Sequence, residues 1–74
     1  MYIVLPFDSF GNIELSNIDI FEEKTDAVFY AEALIAPSLN EAQVTFLNAK
    51  GTNFYKEGPK RTRTQKYRII ERST

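Results

Sequence analysis

Cysteine and histidine are both absent from this 74-residue chain. Without them there is no disulfide, no thiolate metal ligand and no imidazole ligand. The same absences remove the most potent side-chain nucleophile and the commonest general base. The serines lie in turn, cap or tail contexts with no partner base nearby, at positions Ser9, Ser16, Ser38 and Ser73. We therefore expect a protein that is not an enzyme and that uses no cofactor.

Glycine is scarce, with three residues in the chain. Gly51 and Gly58 lack the spacing of a loop that holds phosphate groups. The acidic cluster within residues 19–26 lacks the alternating ligands and the central glycine of a calcium loop. The sequence therefore predicts neither a metal site nor a pocket for a small-molecule substrate.

Long apolar runs are also missing. The first run, Tyr2–Leu5, is broken at Pro6, has no basic leader, and is too short for a signal peptide or a membrane-spanning helix. We expect a soluble cytoplasmic protein that does not enter a membrane.

The length of the chain predicts one small domain over residues 1–74, and the chain is rich in aromatic side chains that can form its core. A chain of this length buries only about 60% of its unfolded surface, so the stability of its core is marginal. Six phenylalanines and four tyrosines favour a folded globule, because each buries roughly 150–250 Å².

Two strands are predicted in the first third of the chain. Tyr2–Leu5 is β-branched and apolar, and residues 8–12 carry turn chemistry. Asn12–Phe21 alternates between apolar and polar residues, with a slip at Ser16 and Asn17 that indicates a bulge or bend.

Segment 27–36 fits either a strand or a helix. We favour a strand, because Val28, Phe29 and Tyr30 form a β-prone cluster and Pro37 closes the segment, although its alanines also fit a helix. Such a strand is apolar on both faces, which is typical of strands covered on both sides. Either the N-terminal segment of the chain folds over the second face or a second subunit covers it, and we expect a homodimer or a complex with a partner.

A helix is predicted over Leu39–Lys50. Ser38 and Glu41 have the spacing of a capping box, and Gly51 suits the left-handed position at the end. After it, Asn53–Tyr55 reads as extended and Thr62–Arg72 as a last strand. The expected fold is α+β: an antiparallel sheet of three or four strands, in the order β-β-β-α-β, with the helix on one face.

The strongest functional signal is the separation of charge along the chain. Residues 1–49 carry one lysine and eight acids, a net charge of −7, whereas residues 50–74 carry eight cations and two acids, a net charge of +6. Such an asymmetry of charge indicates that the protein binds a partner, and it carries no information about the fold. A basic hairpin or loop at 56–68 is the predicted contact for an anionic partner, with the candidate residues Tyr55, Lys56, Lys60, Arg61, Arg63, Lys66, Tyr67 and Arg68.

Nucleic acid is the first hypothesis, because cations at this density can track phosphates while Tyr55 and Tyr67 stack on bases. The alternatives are an acidic protein surface, as in a regulator or inhibitor of the kind that phages make against host enzymes, and a structural subunit of a larger assembly. Two simpler interpretations are a solvated edge that resists strand pairing, and a basic segment lying against acidic residues 19–26 of the same chain. We expect Phe29, Tyr30, Phe46 and Tyr67 to be mainly core residues.

Overall fold

The computed structural model describes residues 1–56 and 64–73, with only the backbone for Tyr55 and Lys56. Within these residues the chain forms three strands and three helices, in the order β1 (Tyr2–Phe7), β2 (Asp19–Phe21), α1 (Lys24–Ile35), α2 (Glu41–Lys50), α3 (Asn53–Lys56) and β3 (Lys66–Glu71). A short 3₁₀ turn, Leu15–Asn17, precedes β2. The α+β class and the antiparallel sheet are confirmed, while the order of elements and the number of helices differ from the prediction.

The first strand is the central one. The sheet order is β2-β1-β3, and β1 is antiparallel to both neighbours. Pro6 is compatible with this place because its backbone faces the β2 side of the ladder, beyond the last β1–β2 pair, Val4 with Asp19. There the Pro6 carbonyl accepts a hydrogen bond from the Glu14 N–H at 2.9 Å. Proline has no N–H, and at this position no residue of β2 lies opposite to receive a hydrogen bond from it.

The predicted strand at 27–36 is wrong, because this segment lies in α1. Its buried residues recur with a helical period, at Ala27, Tyr30, Ala31, Ala33 and Leu34. Burial against the sheet outweighs the β propensity of the Val28–Tyr30 cluster. The start of α1 has no side-chain cap on Glu23, so the sequence lacked the usual signal for a helix N-terminus. Because this segment is helical, the sheet contains no strand at 27–36 whose second face a second subunit would cover.

The one predicted helix, Leu39–Lys50, corresponds to α2 and begins later than expected. Asn40, not Ser38, caps α2: its side chain accepts from the Gln43 N–H at 2.8 Å, and the Gln43 side chain accepts from the Asn40 N–H at 2.9 Å. This capping box competes with the Ser38–Glu41 pair, and asparagine is as good an N-cap as serine. The predicted C-terminal end is confirmed, with Gly51 at φ +60°.

Three other predicted elements are shorter or of another type. Within the predicted strand Asn12–Phe21, the structure has one bridge from Ile13 to Phe7, then the 3₁₀ turn where the pattern slipped, then β2. Asn53–Tyr55 is helical rather than extended, as part of α3. The last strand covers only Lys66–Glu71 of the predicted Thr62–Arg72, whose residues 62 and 63 lie outside the described ranges.

The core lies between the sheet and the helices. Helix α1 contacts all three strands, whereas α2, the helix predicted to pack on the sheet, contacts α1 and α3. Phe46 of α2 approaches Phe21 of β2 with ring centroids 6.1 Å apart, and Tyr30 lies 5.2 Å from Phe21. Tyr30 and Leu47 are fully buried. The aromatic contacts of Tyr30 and Phe46 with Phe21 therefore connect α1 and α2 to the sheet.

None of the three helices in the described ranges has the length and apolar character that a membrane span requires.

Candidate functional site

The two faces of the sheet differ in what they contact. Residues at even positions of β1 and odd positions of β3 face the helices, because side chains alternate along a strand. Val4 and Pro6 are buried there, and Tyr67 and Ile69 pack against the same core. The opposite side, here called the outer face, carries Ile3, Leu5, Phe7, Ile20, Lys66, Arg68 and Ile70.

A basic row runs along β3 on the outer face. Lys66 lies opposite Phe7 and Arg68 lies opposite Leu5. Arg72 continues the alternation one step beyond the strand, where its N–H donates to the Met1 carbonyl at 2.9 Å. All three cationic residues are exposed. Positions two residues apart on a strand are about 6.6 Å apart, so Lys66 and Arg68 form a closely spaced pair, with Arg72 about twice that distance further on.

Described acidic residues do not neutralise the basic row. The ion pair formed within the described ranges joins Lys50 to Asp26 at 3.0 Å, across the two long helices. Asp19 accepts from the Asn53 N–H at 2.8 Å, and Glu32 accepts from the Tyr67 hydroxyl at 2.9 Å. These acidic side chains are thus engaged on the helix side of the sheet. Among the described residues, neither Lys66 nor Arg68 forms an ion pair with acidic residues 19–26, so these two residues do not support the interpretation in which the basic segment lies against them.

Tyr67 is separated from the basic row by the sheet itself. It lies on the helix-facing side, half-buried against the core, and its hydroxyl donates to Glu32. This hydrogen bond, with burial and the Glu32 charge as smaller causes, raises the pKa of Tyr67. Its hydroxyl is therefore held at α1, although Tyr67 also lines the cleft beside Lys66 and Arg68 that is described below.

The remaining predicted site residues are only partly placed. Tyr55 and Lys56 are the last two residues of α3, and the structure describes only their backbone. Lys60, Arg61 and Arg63, with most of the predicted hairpin at 56–68, lie outside the described residues. Of the eight predicted site residues, the structure therefore brings Lys66 and Arg68 together on one face.

A cleft of about 320 Å³ borders the basic row. Phe7, Gly11, Lys66, Tyr67 and Arg68 line it, so it lies between the turn at residues 8–12 and the start of β3. An apolar ring and two cations thus share one concave surface. This combination suits an anion that carries a flat apolar group.

The turn beside this cleft is closely hydrogen-bonded and exposes an aromatic ring. Asp8 Oδ1 accepts from the N–H groups of Phe10 and Asn12, each at 2.9 Å. The Gly11 N–H donates to the Asp8 carbonyl at 3.1 Å, and Gly11 has φ +84°, a conformation that glycine adopts without strain. Phe10 is 81% exposed at the tip.

Sequence reasoning did not select Arg72, Phe7 or Phe10 as site residues. Arg72 could have been found by extending the alternation from Lys66 and Arg68. Phe10 could have been found as a large apolar residue inside a polar turn, where it has little to pack on. Nothing in the sequence signalled Phe7, because its place beside Lys66 depends on pairing between the two ends of the chain.

A second concave surface lies between α1 and α2. This groove of about 450 Å³ has mostly apolar walls, which include Val28, Phe29 and Ala42. Phe29 is 38% exposed and contacts Phe46 with ring centroids 4.9 Å apart, so it is a partly exposed member of the predicted aromatic core. Within the described residues, no group of three acidic side chains is placed to hold a metal ion.

Comparison with known proteins gives no relative: no protein-family model, no curated protein and no solved structure matches this chain.

Proposed function

We propose that this chain is a small non-enzymatic binding protein that contacts nucleic acid through its basic C-terminal segment. One observation carries the proposal: Lys66, Arg68 and Arg72 lie exposed on one face of the sheet, with no ion pair to a described acid. Lys60, Arg61 and Arg63 belong to the same segment of the sequence and add to its positive charge.

Phosphate contact at this row is favoured by counterion release. Each cation that neutralises a phosphate frees a condensed counterion, so binding weakens as the salt concentration rises. The spacing of Lys66 and Arg68 suits successive phosphates of an extended strand. Because the whole chain has a net charge of −1, attraction comes from this local row rather than from the charge of the whole protein.

The salt dependence of binding tests this proposal. Fluorescence anisotropy with a labelled single-stranded oligonucleotide is measured from low to moderate salt. Three phosphate contacts at Lys66, Arg68 and Arg72 predict a slope of log K against log salt of about −2, and three further contacts at Lys60, Arg61 and Arg63 would bring it to about −4. The double variant K66A/R68A is expected to make the slope shallower by about 1.4.

The matched control removes two cations from the helix layer. Lys24 and Lys50 are both exposed, and K24A/K50A changes the net charge by the same amount as K66A/R68A. We expect the control to keep the parent slope. A slope near zero for the parent protein, or equal effects of the two double variants, would contradict a phosphate contact at the basic row.

A second candidate is a protein-directed regulator or inhibitor, and one observation favours it. Ile20 of the outer face is 54% exposed, and Ile13, which is bridged to Phe7, is 43% exposed. Leu15 in the 3₁₀ turn is 76% exposed. Exposed apolar side chains of this size are frequent at protein interfaces. A pull-down from the source cell with added nuclease separates the candidates, because a protein band that survives digestion supports this one. Sedimentation of the free protein shows whether a second copy covers the face instead.

A further inference from the structure

Phe10 is a large apolar side chain that the fold holds in solvent. At 81% exposure its ring gains almost nothing from the core. Nevertheless, the Asp8 carboxylate and two backbone hydrogen bonds restrain the turn that carries it. Because the backbone of this turn is already ordered, it loses little conformational freedom when a flat ligand stacks on the ring that it carries, which favours binding.

The position of this turn relates Phe10 to the basic row. Gly11, the next residue in the chain, lines the cleft together with Phe7, Lys66 and Arg68. A ligand that places an anionic group on the two cations and fills this cleft reaches Gly11, the neighbour of Phe10 in the chain. The acidic residue of the same turn, Asp8, has a structural role there, because its Oδ1 accepts hydrogen bonds from two backbone N–H groups.

We infer that Phe10 is a stacking platform for an unpaired base, adjoining a phosphate held by Lys66 and Arg68. This inference rests on the proposed function and narrows it to single-stranded nucleic acid. The faces of bases in a duplex are covered by their neighbours, whereas an unpaired base offers a free face to an aromatic side chain. Stacking on an aromatic ring does not depend on base identity, so little sequence preference is expected.

The test compares three ligands of equal backbone length: a single strand with bases, a single strand of abasic sites, and a duplex. The single strand with bases is expected to bind most tightly. Loss of one stacked base weakens binding between about 5-fold and about 140-fold, so the abasic strand should fall in this range. Equal binding of the base-containing and abasic strands would overturn the stacking role while leaving the basic row in place.

Variants of Phe10 provide a second measurement. F10A should lose the same factor with the base-containing strand and nothing with the abasic strand. The control is L15A, which removes a side chain that is 76% exposed in the same connection. Equal losses in F10A and L15A would indicate a general apolar contact and would overturn the inference. Both positions are exposed, so both variants should fold normally, as circular dichroism can verify.

F10W adds a direct spectroscopic signal, because the chain has no tryptophan of its own. Its fluorescence should be quenched by the base-containing strand and unchanged by the abasic strand at equal occupancy. An unquenched tryptophan at saturation would overturn stacking. If none of the three ligands binds at low salt, the proposed function fails as well, a result distinct from equal binding of the first two.

Discussion

The buried hydroxyl of Tyr30 is the sharpest test of how α1 is joined to the rest of the fold. Tyr30 is fully buried, and its hydroxyl donates to the Asn17 carbonyl at 2.7 Å. Y30F keeps the ring against Phe21 but removes this donor. The Asn17 carbonyl then loses a partner in a buried setting, which costs about 1–3 kcal/mol.

That cost is large for a domain of this size. At roughly 0.05–0.15 kcal/mol per residue, the free energy of unfolding of the whole chain is about 4–11 kcal/mol. Y30F should therefore lower the melting temperature by about 4–24 °C. Urea denaturation followed by circular dichroism at neutral pH measures the change. The control is Y67F, whose hydroxyl bond to Glu32 is exposed, and which should cost less than about 1 kcal/mol.

Alkaline pH provides an independent measurement on the same residue. Burial, and to a lesser extent the Asp19 charge, raises the pKa of Tyr30 in the folded state. The unfolded chain ionises this tyrosine near pH 10, so its contribution is complete below pH 10 and is lost as pH rises toward the folded pKa. Between pH 8 and pH 11 the parent protein should lose about 1.4 kcal/mol relative to Y30F.

Tyr2 and Tyr67 also have raised pKa values, but they are present in both proteins and cancel in the comparison. Two results would refute the reasoning: a Y30F protein as stable as its parent at neutral pH, or a stability difference between the two proteins that stays constant up to pH 11. Either result would mean that the hydroxyl of Tyr30 is not held at Asn17 in a buried site.

Two further predictions concern the ends of α2. N40A should destabilise the protein by about 1 kcal/mol through loss of the N-cap, whereas S38A should stay within about 0.5 kcal/mol of the parent. The reverse order in urea denaturation would restore the capping box predicted from the sequence. G51A should cost about 1–2 kcal/mol, because φ is +60° there while an added Cβ meets nothing within 4 Å. Full stability of G51A would show that the left-handed conformation is not required.

Local signals in the sequence predicted the elements that depend on chain neighbours. The β-branched run at Tyr2–Leu5 became part of β1, and Gly51 ends α2 as its conformational freedom suggested. The slip at residues 16 and 17 marks the 3₁₀ turn before β2. Each of these features is decided by residues within a few positions, so each could be predicted without knowledge of the fold.

For the candidate site, the sequence predicted the cationic segment but not which of its residues share a surface. Lys66 and Arg68 share the outer face, and Tyr67 between them points to the helices. The alternation of side chains along an extended chain already placed Lys66 and Arg68 on one face and Tyr67 on the other. Which set is free for a ligand could not be known until the position of α1 was known, because the helix buries one face and leaves the other open.

The sequence alone therefore determined the chemistry: no sulfur or imidazole groups, a chain divided into acidic and basic parts, and aromatic residues sufficient for a small core. Tertiary structure decided that Ala27, Ala31 and Leu34 form a helix, that the first strand lies at the centre of the sheet, and that the cations of the last strand face outward. The physical reason is range. Propensity and charge belong to residues and their neighbours, whereas burial depends on contacts between segments that are distant in the chain.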